Sequence, residues 1–257
     1  MSILHSYHPN SRPLITVADT YSKSEVRFRA FVVTFSRRVV EALLEDGAIE
    51  LVSADGIRSI SCAYPVYRFA GTDIGLVKTT VGAPITSVLI EEVGYIYSCR
   101  RAVIFGTCGT LDRTIPANRL IVPTHAYRDE GVSYHYLPPA DYIELRNWKT
   151  VCKALDALGL PYVCGRTWTT DAFYRETEEE LRARRAEGCI AVEMELAACQ
   201  AVCDCAGIQL YSFLYRADNL DAESWDKGQR DRHLPRDERL RILNAAYELA
   251  RLVQDET

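Results

Sequence analysis

The stretch from Gly188 to Leu220, G-C-I-A-V-E-M-E-L-A-A-C-Q-A-V-C-D-C-A-G-I-Q-L-Y-S-F-L-Y-R-A-D-N-L, constrains the fold more than any other part of the chain. From Ala191 to Cys205 its apolar residues recur at helical spacing and Ala and Leu dominate, which predicts a helix. Gly207 is placed to end that helix, because glycine takes the left-handed cap conformation freely. Ile208 to Tyr215 then reads as an apolar run of strand length, fit to be buried. Two features interrupt this plain core unit. Glu193 and Glu195 sit among apolar residues at the predicted helix start, and Asp218 and Asn219 follow the strand end, where open α/β sheets place their ligands. Residues two apart on a helix point about 200° apart, so at most one glutamate faces a ligand. The other then caps free N–H groups or favours the positive helix end, and both glutamates doing only this is the structural alternative.

The rest of the chain alternates in the same way. Ala30 to Phe35 reads as a strand, and Ser36, Arg37 and Arg38 open a helix from Val39 to Glu45 that Gly47 ends. A strand running into a helix N-terminus is a ready anion site, because unpaired N–H groups point outward there. Tyr64–Phe69 and Ile74–Val81 form a predicted hairpin around Ala70-Gly71-Thr72-Asp73. Gly82-Ala83-Pro84 then leads into a helix from Ile85 to about Ser98. Arg101 to Leu111 is an apolar strand running into a turn at Gly106-Thr107-Cys108-Gly109, where glycines let the backbone approach a ligand closely. A tight turn at a strand end is the plain alternative. Further strands are expected from Leu120 and from Tyr162, and helices over Lys149–Leu158 and Glu178–Gly188. Asp231-Arg232-His233 forms a polar loop before an amphipathic closing helix from Arg236 to Asp255. This alternation predicts an α/β fold in three α/β/α layers with a mixed central sheet. One domain over 1–257 is expected, with 1–25 as a polar arm over the surface or a neighbouring subunit.

Charge and cysteine content narrow the function classes. A net charge of −5 with no basic stripe argues against a nucleic-acid partner. No apolar run is long enough to span a bilayer, and the first residues lack the charged and apolar regions of a signal peptide, so a cytoplasmic protein is expected. The nine cysteines are scattered, several within apolar segments, which fits reduced, buried thiols. Cys199, Cys203 and Cys205 cluster on the central helix, but without paired C-x-x-C spacing or histidines, so no metal is expected. His125 and His135 show no carboxylate at catalytic spacing and read as structural.

V-E-M-E, a helix, an apolar strand and A-D-N-L together resemble the nucleoside phosphorylase superfamily, which contains uridine phosphorylase and the hexameric purine nucleoside phosphorylases. The resemblance covers the chain from about Val32 onward. It implies that Met194 packs under a ribose and that Glu195 accepts bonds from the 2′- and 3′-hydroxyls. It also implies that Asp218 is the general acid of the purine enzymes. Thr170-Asp171-Ala172-Phe173-Tyr174 is similar to the family's base-side motif, with Phe173 against ribose and base and Arg175 as a further base-side candidate. Thr107 matches a phosphate-binding Ser or Thr, and Arg38 aligns with the arginine of the family's Gly-Asp-Pro-x-Arg phosphate turn. Gly109, in the Gly-x-x-Gly segment, is a further candidate contact. Arg58 and Arg68 are candidates for the arginine that crosses to a neighbour's phosphate site, and His5 or His8 for the histidine that reaches a neighbour's 5′-hydroxyl. Arg128 to Tyr136 is similar to the family's Arg-x-x-Gly-x-Ser-x-His-aromatic segment, which lines the site and a subunit contact.

Three departures accompany the resemblance. The Gly-Asp-Pro positions carry Thr34, Phe35 and Ser36; the phosphate arginine two residues before the first glycine is Ile104; and the Gln and Arg of the uridine enzymes are Thr177 and Glu179. The last favours a purine over uracil. The activity implied is phosphorolysis of a nucleoside to a free base and ribose 1-phosphate, with inorganic phosphate as co-substrate and no metal or organic cofactor. The unit implied is a homo-oligomer, a dimer or a hexamer built as a trimer of dimers. Two alternatives stand beside this. A hydrolytic nucleosidase of the same fold fits the loss of phosphate-binding residues, although Thr34-Phe35-Ser36 lacks the water-handling glutamate of such relatives. A non-catalytic nucleoside-binding relative with an eroded phosphate site is the other.

Overall fold

The computed structural model describes residues 2–58, 62–221, 226 and 235–255, so the polar loop expected at Asp231-Arg232-His233 lies outside the described residues. Ahead of the sheet, a 3₁₀ turn at Ile3–His5 and the short helix α1 (Val17–Thr20) form an arm with Leu14 and Ile15 turned to solvent. The arm is pinned where the amides of Ser24 and Phe28 bond the carbonyls of Ile96 and Tyr97.

The strands and helices then follow as β1 (Ala30–Thr34), α2 (Arg37–Glu45), β2 (Ile49–Arg58), β3 (Ala63–Phe69), β4 (Ile74–Lys78), α3 (Ala83–Ile96), β5 (Arg101–Thr110) and β6 (Leu120–Asp129). The second half adds α4 (Ser133–Tyr136), β7 (Tyr142–Glu144), α5 (Trp148–Ala157), β8 (Tyr162–Thr170), α6 (Glu178–Ala186), β9 (Cys189–Glu193), α7 (Leu196–Ala206), β10 (Gln209–Asn219) and α8 (Arg236–Val253). The sheet is mixed, as its sequence alternation predicts. β1 lies parallel between β4 and β5, while the β2–β3–β4 edge is antiparallel.

Helices cover both faces because the central strands are apolar on both. Along β10, Leu210 and Leu214 join the core formed with α3 and α7, while Tyr211, Phe213 and Tyr215 join the core formed with α2, α5 and α8. β5 divides likewise, with Ile104 in the first core and Val103 and Phe105 in the second. Half of the sheet also closes on itself. β5 pairs with β10, β10 with β6, β6 with β8, β8 with β9, and β9 returns to β5.

That closure corrects three expectations. The segment from Ala191 begins as strand, not helix: β9 is held between β8 and β5, and the helix starts only at Leu196. Gly207 does end that helix, at φ 66°. Gly106 to Gly109 makes no turn, because β5 runs on to Thr110 in register with β10 and β9. Its glycines serve close packing instead: a Cβ at Gly106 would lie 2.9 Å from the Phe35 ring. Asp218 and Asn219 belong to β10 itself, beyond a register shift after Arg216 that re-aims the strand end. Two boundaries also move: α3 begins at Ala83 with Pro84 in its first turn, and β4 stops at Lys78.

Candidate active site

A cleft of about 500 Å³ opens beside the carboxyl ends of β1, β5, β9 and β10. Its walls are Phe35 after β1, Ile104 and Gly106–Gly109 on β5, Val192–Leu196 at the β9–α7 junction, Leu214, Ala217 and Asp218 on β10, and Leu220 just beyond it. Phe173 and Glu176 close one side, and Val81 lies at the edge, 59% exposed. The carboxyl end of parallel strands is where such folds bind small molecules.

The β9–α7 junction organises the site. Glu193 ends β9 fully in the interior, and its carboxylate accepts the amides of Glu195 and Leu196, each at 2.7 Å. The Thr169 hydroxyl donates to the same carboxylate and itself accepts the Ala197 amide at 3.1 Å. Glu193 thereby satisfies N–H groups that the start of α7 would leave unpaired. Burial, reinforced by the neighbouring Glu195 charge, pushes its carboxyl up to about 8. Glu195, 7% exposed, turns the other way. Its carboxylate accepts the Gly82 amide at 2.7 Å and the Met194 amide at 3.2 Å. Burial holds it up to about 7, against the pull of those two N–H groups. The helical spacing behind the expected division does not hold, because Glu193 ends a strand and Glu195 precedes α7; both carboxylates accept backbone N–H groups and both residues border the cleft.

Asp218 lines the same cleft and is 9% exposed. Gly109 makes room for it: a Cβ there would lie 3.0 Å from Asp218 Oδ1 and 2.4 Å from Leu220 Cδ1. The Thr110 hydroxyl donates to the Asp218 carbonyl at 3.0 Å and fixes the backbone beneath it. Arg216 pairs with Asp226 at 2.9 Å.

Of the residues singled out by sequence, Asp218, Met194, Glu195, Phe173, Thr107 and Gly109 line this one cleft. Arg38, Arg68, Arg175 and His8 do not. Arg38 is exposed in the first turn of α2, and Arg68 is bound to Glu50 on the β2–β3 edge. Arg58 pairs with Asp55 at 3.3 Å. Arg128 is buried, donating to Ser133 at 2.8 Å and to the Pro138 carbonyl, and so orders the β6–α4 corner away from the cleft. Three lining groups escaped sequence reading. Cys108 is buried, and burial raises its thiol far above the ordinary range, so it is inert. Phe35 lies over Gly106 and, with Ile104, makes one end of the cleft apolar. Glu176 lies just beyond the 3₁₀ turn Phe173–Arg175, and its only sequence signal is submerged in the run E-T-E-E-E.

Among the described residues, no three His, Cys, Asp or Glu side chains gather as metal ligands would. None of the described helices is long and apolar enough to cross a membrane.

Comparison with known proteins identifies the family and the fold. The profile of the family described as the phosphorylase superfamily matches residues 29–253. Purine nucleoside phosphorylases of DeoD type from Bacillus cytotoxicus and Bacillus cereus are each 25% identical over 188 residues, covering 72% of this chain and 77% of theirs. Among solved structures, the fold is similar to an AMP nucleosidase from Bacteroides thetaiotaomicron, with a TM-score of 0.68, 16% identity and coverage of 89% of this chain and 90% of that one. It is equally similar to a purine nucleoside phosphorylase from Toxoplasma gondii in complex with immucillin-H, with a TM-score of 0.68, 18% identity and coverage of 90% of each chain.

Proposed function

The chain belongs to the phosphorylase superfamily, and from that premise we propose that it cleaves the N-glycosidic bond of a purine nucleoside. The observation that carries this reading is that Glu195, Asp218, Met194 and Phe173 line one cleft together. In this reading Met194 and Phe173 pack against the sugar, and Glu195 accepts its two hydroxyls. Breaking the bond leaves a ribosyl cation, which a nearby carboxylate stabilises electrostatically. The departing purine carries electron density onto N7, where Asp218 donates a proton or a hydrogen bond. The purine preference is supported by the name shared by the Bacillus relatives and by the absence of the uracil-reading pair at Thr177 and Glu179.

Two acceptors fit the ribosyl carbon. Phosphate is the one the resemblance implies. It would enter past Thr107, near the positive N-terminus of α2, where Ser36 caps the Val39 amide at 3.3 Å. Water is the second reading, and a specific observation favours it: among the described residues, no lysine or arginine lines the cleft, and Phe35 and Ile104 occupy positions where the family keeps phosphate-binding groups. A homo-oligomer is part of the proposal, supported by Val81, Phe173 and Tyr174, which leave apolar surface exposed around the cleft. The test is to incubate the protein with a nucleoside panel, with and without phosphate, and identify the sugar. Ribose 1-phosphate formed only with phosphate gives phosphorolysis. Free ribose at a rate independent of phosphate gives hydrolysis. Release of no base from any nucleoside sinks the catalytic reading.

A further inference from the structure

Most of the nine cysteines are buried or turned to the backbone. The thiols of Cys99, Cys108, Cys189 and Cys205 donate to the carbonyls of Arg101, Tyr215, Thr167 and Tyr136. Cys199 and Cys203 are wholly buried on α7. Cys152 and Cys164 differ, because their sulfurs meet each other at 3.3 Å. Cys164 is exposed and Cys152 half-buried, so this pair departs from the expectation of buried thiols.

The local fold creates the contact. Cys152 lies in the second turn of α5, and a short turn through Gly159, at φ 65°, and Pro161 brings the chain back into β8. Side chains alternate along a strand, so Tyr162 and Cys164 share the face that α5 covers, while Val163 joins the core on the other side. The Tyr162 hydroxyl donates to Asp156 at 3.2 Å and closes the same corner. Neither cysteine lines the cleft; Cys164 sits at the amino end of β8, which runs parallel to β9, and the cleft opens at carboxyl ends.

Sulfurs 3.3 Å apart need to approach by only about 1.2 Å to form an S–S bond of about 2.05 Å. We propose that Cys152 and Cys164 are a reversible dithiol–disulfide site that reacts with a small organic disulfide and ties α5 to the start of β8. One cysteine, as its thiolate, attacks a sulfur of the reagent RSSR. A new S–S bond forms, the reagent's own breaks, and RS⁻ leaves with the electron pair. The second cysteine gives up its proton, attacks the cysteine sulfur of the mixed disulfide and expels a second RS⁻. The two protons end on the two thiolates, so the cysteines are oxidised and RSSR is reduced to two RSH. The second step is intramolecular, and sulfurs already held in contact speed it. Burial, the contact with Cys152 and the charge of Asp156 hold the Cys164 thiol up at about 12, which slows the exchange at neutral pH. Unlike the buried Cys108, however, Cys164 is open to the reagent.

The test incubates the folded full chain with glutathione disulfide, alkylates the remaining thiols and maps the peptides without reduction. The expected result is a cross-linked pair of peptides carrying Cys152 and Cys164, lighter by two hydrogens than the separate reduced peptides, which a dithiol reductant separates. The link closes a short loop, so the oxidised protein is expected to melt roughly 5 °C higher, and reduction to reverse the gain. Cys164→Ser is expected to show neither change. Recovery of Cys152 and Cys164 as alkylated thiols, or as two separate glutathione adducts, overturns the site. The wild-type map decides this whether or not the variant folds. A cross-link that leaves the melting temperature unchanged overturns the tie between α5 and β8. None of these readouts depends on cleavage of a nucleoside.

Discussion

Glu195 reaches across 113 residues of sequence to accept the Gly82 amide at 2.7 Å, and so ties the start of α7 to the start of α3. Gly82 holds φ 120°, a conformation open to glycine and strained for other residues, which aims its N–H at the carboxylate. The bond leaves the Glu195 carboxylate fixed at the cleft wall before any ligand arrives, and pre-orienting an acceptor lowers the cost of binding. Glu195→Ala is expected to weaken nucleoside binding and turnover together. Each lost bond to a charged acceptor is worth about 1.5–3 kcal/mol. A folded variant with unchanged kcat/KM would reduce Glu195 to a tie between two helices.

The glutamates at this junction also set a pH dependence of stability. Glu193 rises to about 8 in the folded protein from an ordinary 4.5, with burial as the leading cause. Between those values the folded state holds a proton that the unfolded chain has released. The contribution of Glu193 is therefore complete below the unfolded value and is lost as pH rises through about 8. Glu195 adds in the same direction up to about 7. The melting temperature is expected to fall between about pH 5 and about pH 8 through these groups. Glu193→Gln, which keeps an acceptor for the Glu195 and Leu196 amides, should flatten that fall. Calorimetric scans across the range check it, and identical slopes in both proteins would count against the buried-proton account.

The fold was largely legible because its central strands are apolar on both faces while helices such as α2, α5 and α8 are apolar on one. Ala30–Thr34 and Ile208–Tyr215 declare themselves by composition alone. β9 was hidden for a physical reason: C-I-A-V-E is continuous with an Ala-rich segment of helical spacing, and only pairing to β8 and β5 makes it extended. The chemistry-bearing residues Met194, Glu195 and Asp218 were readable from motif order. Phe35, Cys108 and Glu176 were not, because what places them in the cleft is the crossing of β1, β5 and the Phe173 turn, which no local pattern encodes. Arg38 and Arg175 show the converse, since matching a motif by position did not bring either to the cleft wall.

Gly109 offers a way to disturb Asp218 without touching its carboxyl. A Cβ at Gly109 would press on Asp218 Oδ1 and Val192 Cγ1, both at 3.0 Å, as well as on Leu220. Gly109→Ala is expected to lower kcat for a purine nucleoside more than it raises KM, because the contacts it crowds are to Asp218, Leu220 and Val192 and not to Glu195 itself. Steady-state kinetics with a melting control read this out. Unchanged kcat would mean that Leu220 alone yields and that the carboxyl keeps its place.

Asp218 itself carries the sharpest test. It lies beyond the register shift in β10, with Leu214 and Leu220 lining the cleft beside it. Arg216, a cation close in sequence that would favour its charged form, is paired with Asp226. A leaving purine calls for a proton or hydrogen bond at N7, the role proposed for Asp218. Asp218→Asn preserves shape and hydrogen bonding but removes that proton supply. It is expected to cost roughly 10²–10⁴-fold in turnover of a natural purine nucleoside, the usual range for a lost general acid. The loss should be much smaller for a nucleoside whose base departs without protonation, because that reaction never calls on the acid. Equal losses on both substrates would make Asp218 a positioning residue. Loss on neither, with efficient cleavage of a pyrimidine nucleoside, would overturn the purine assignment.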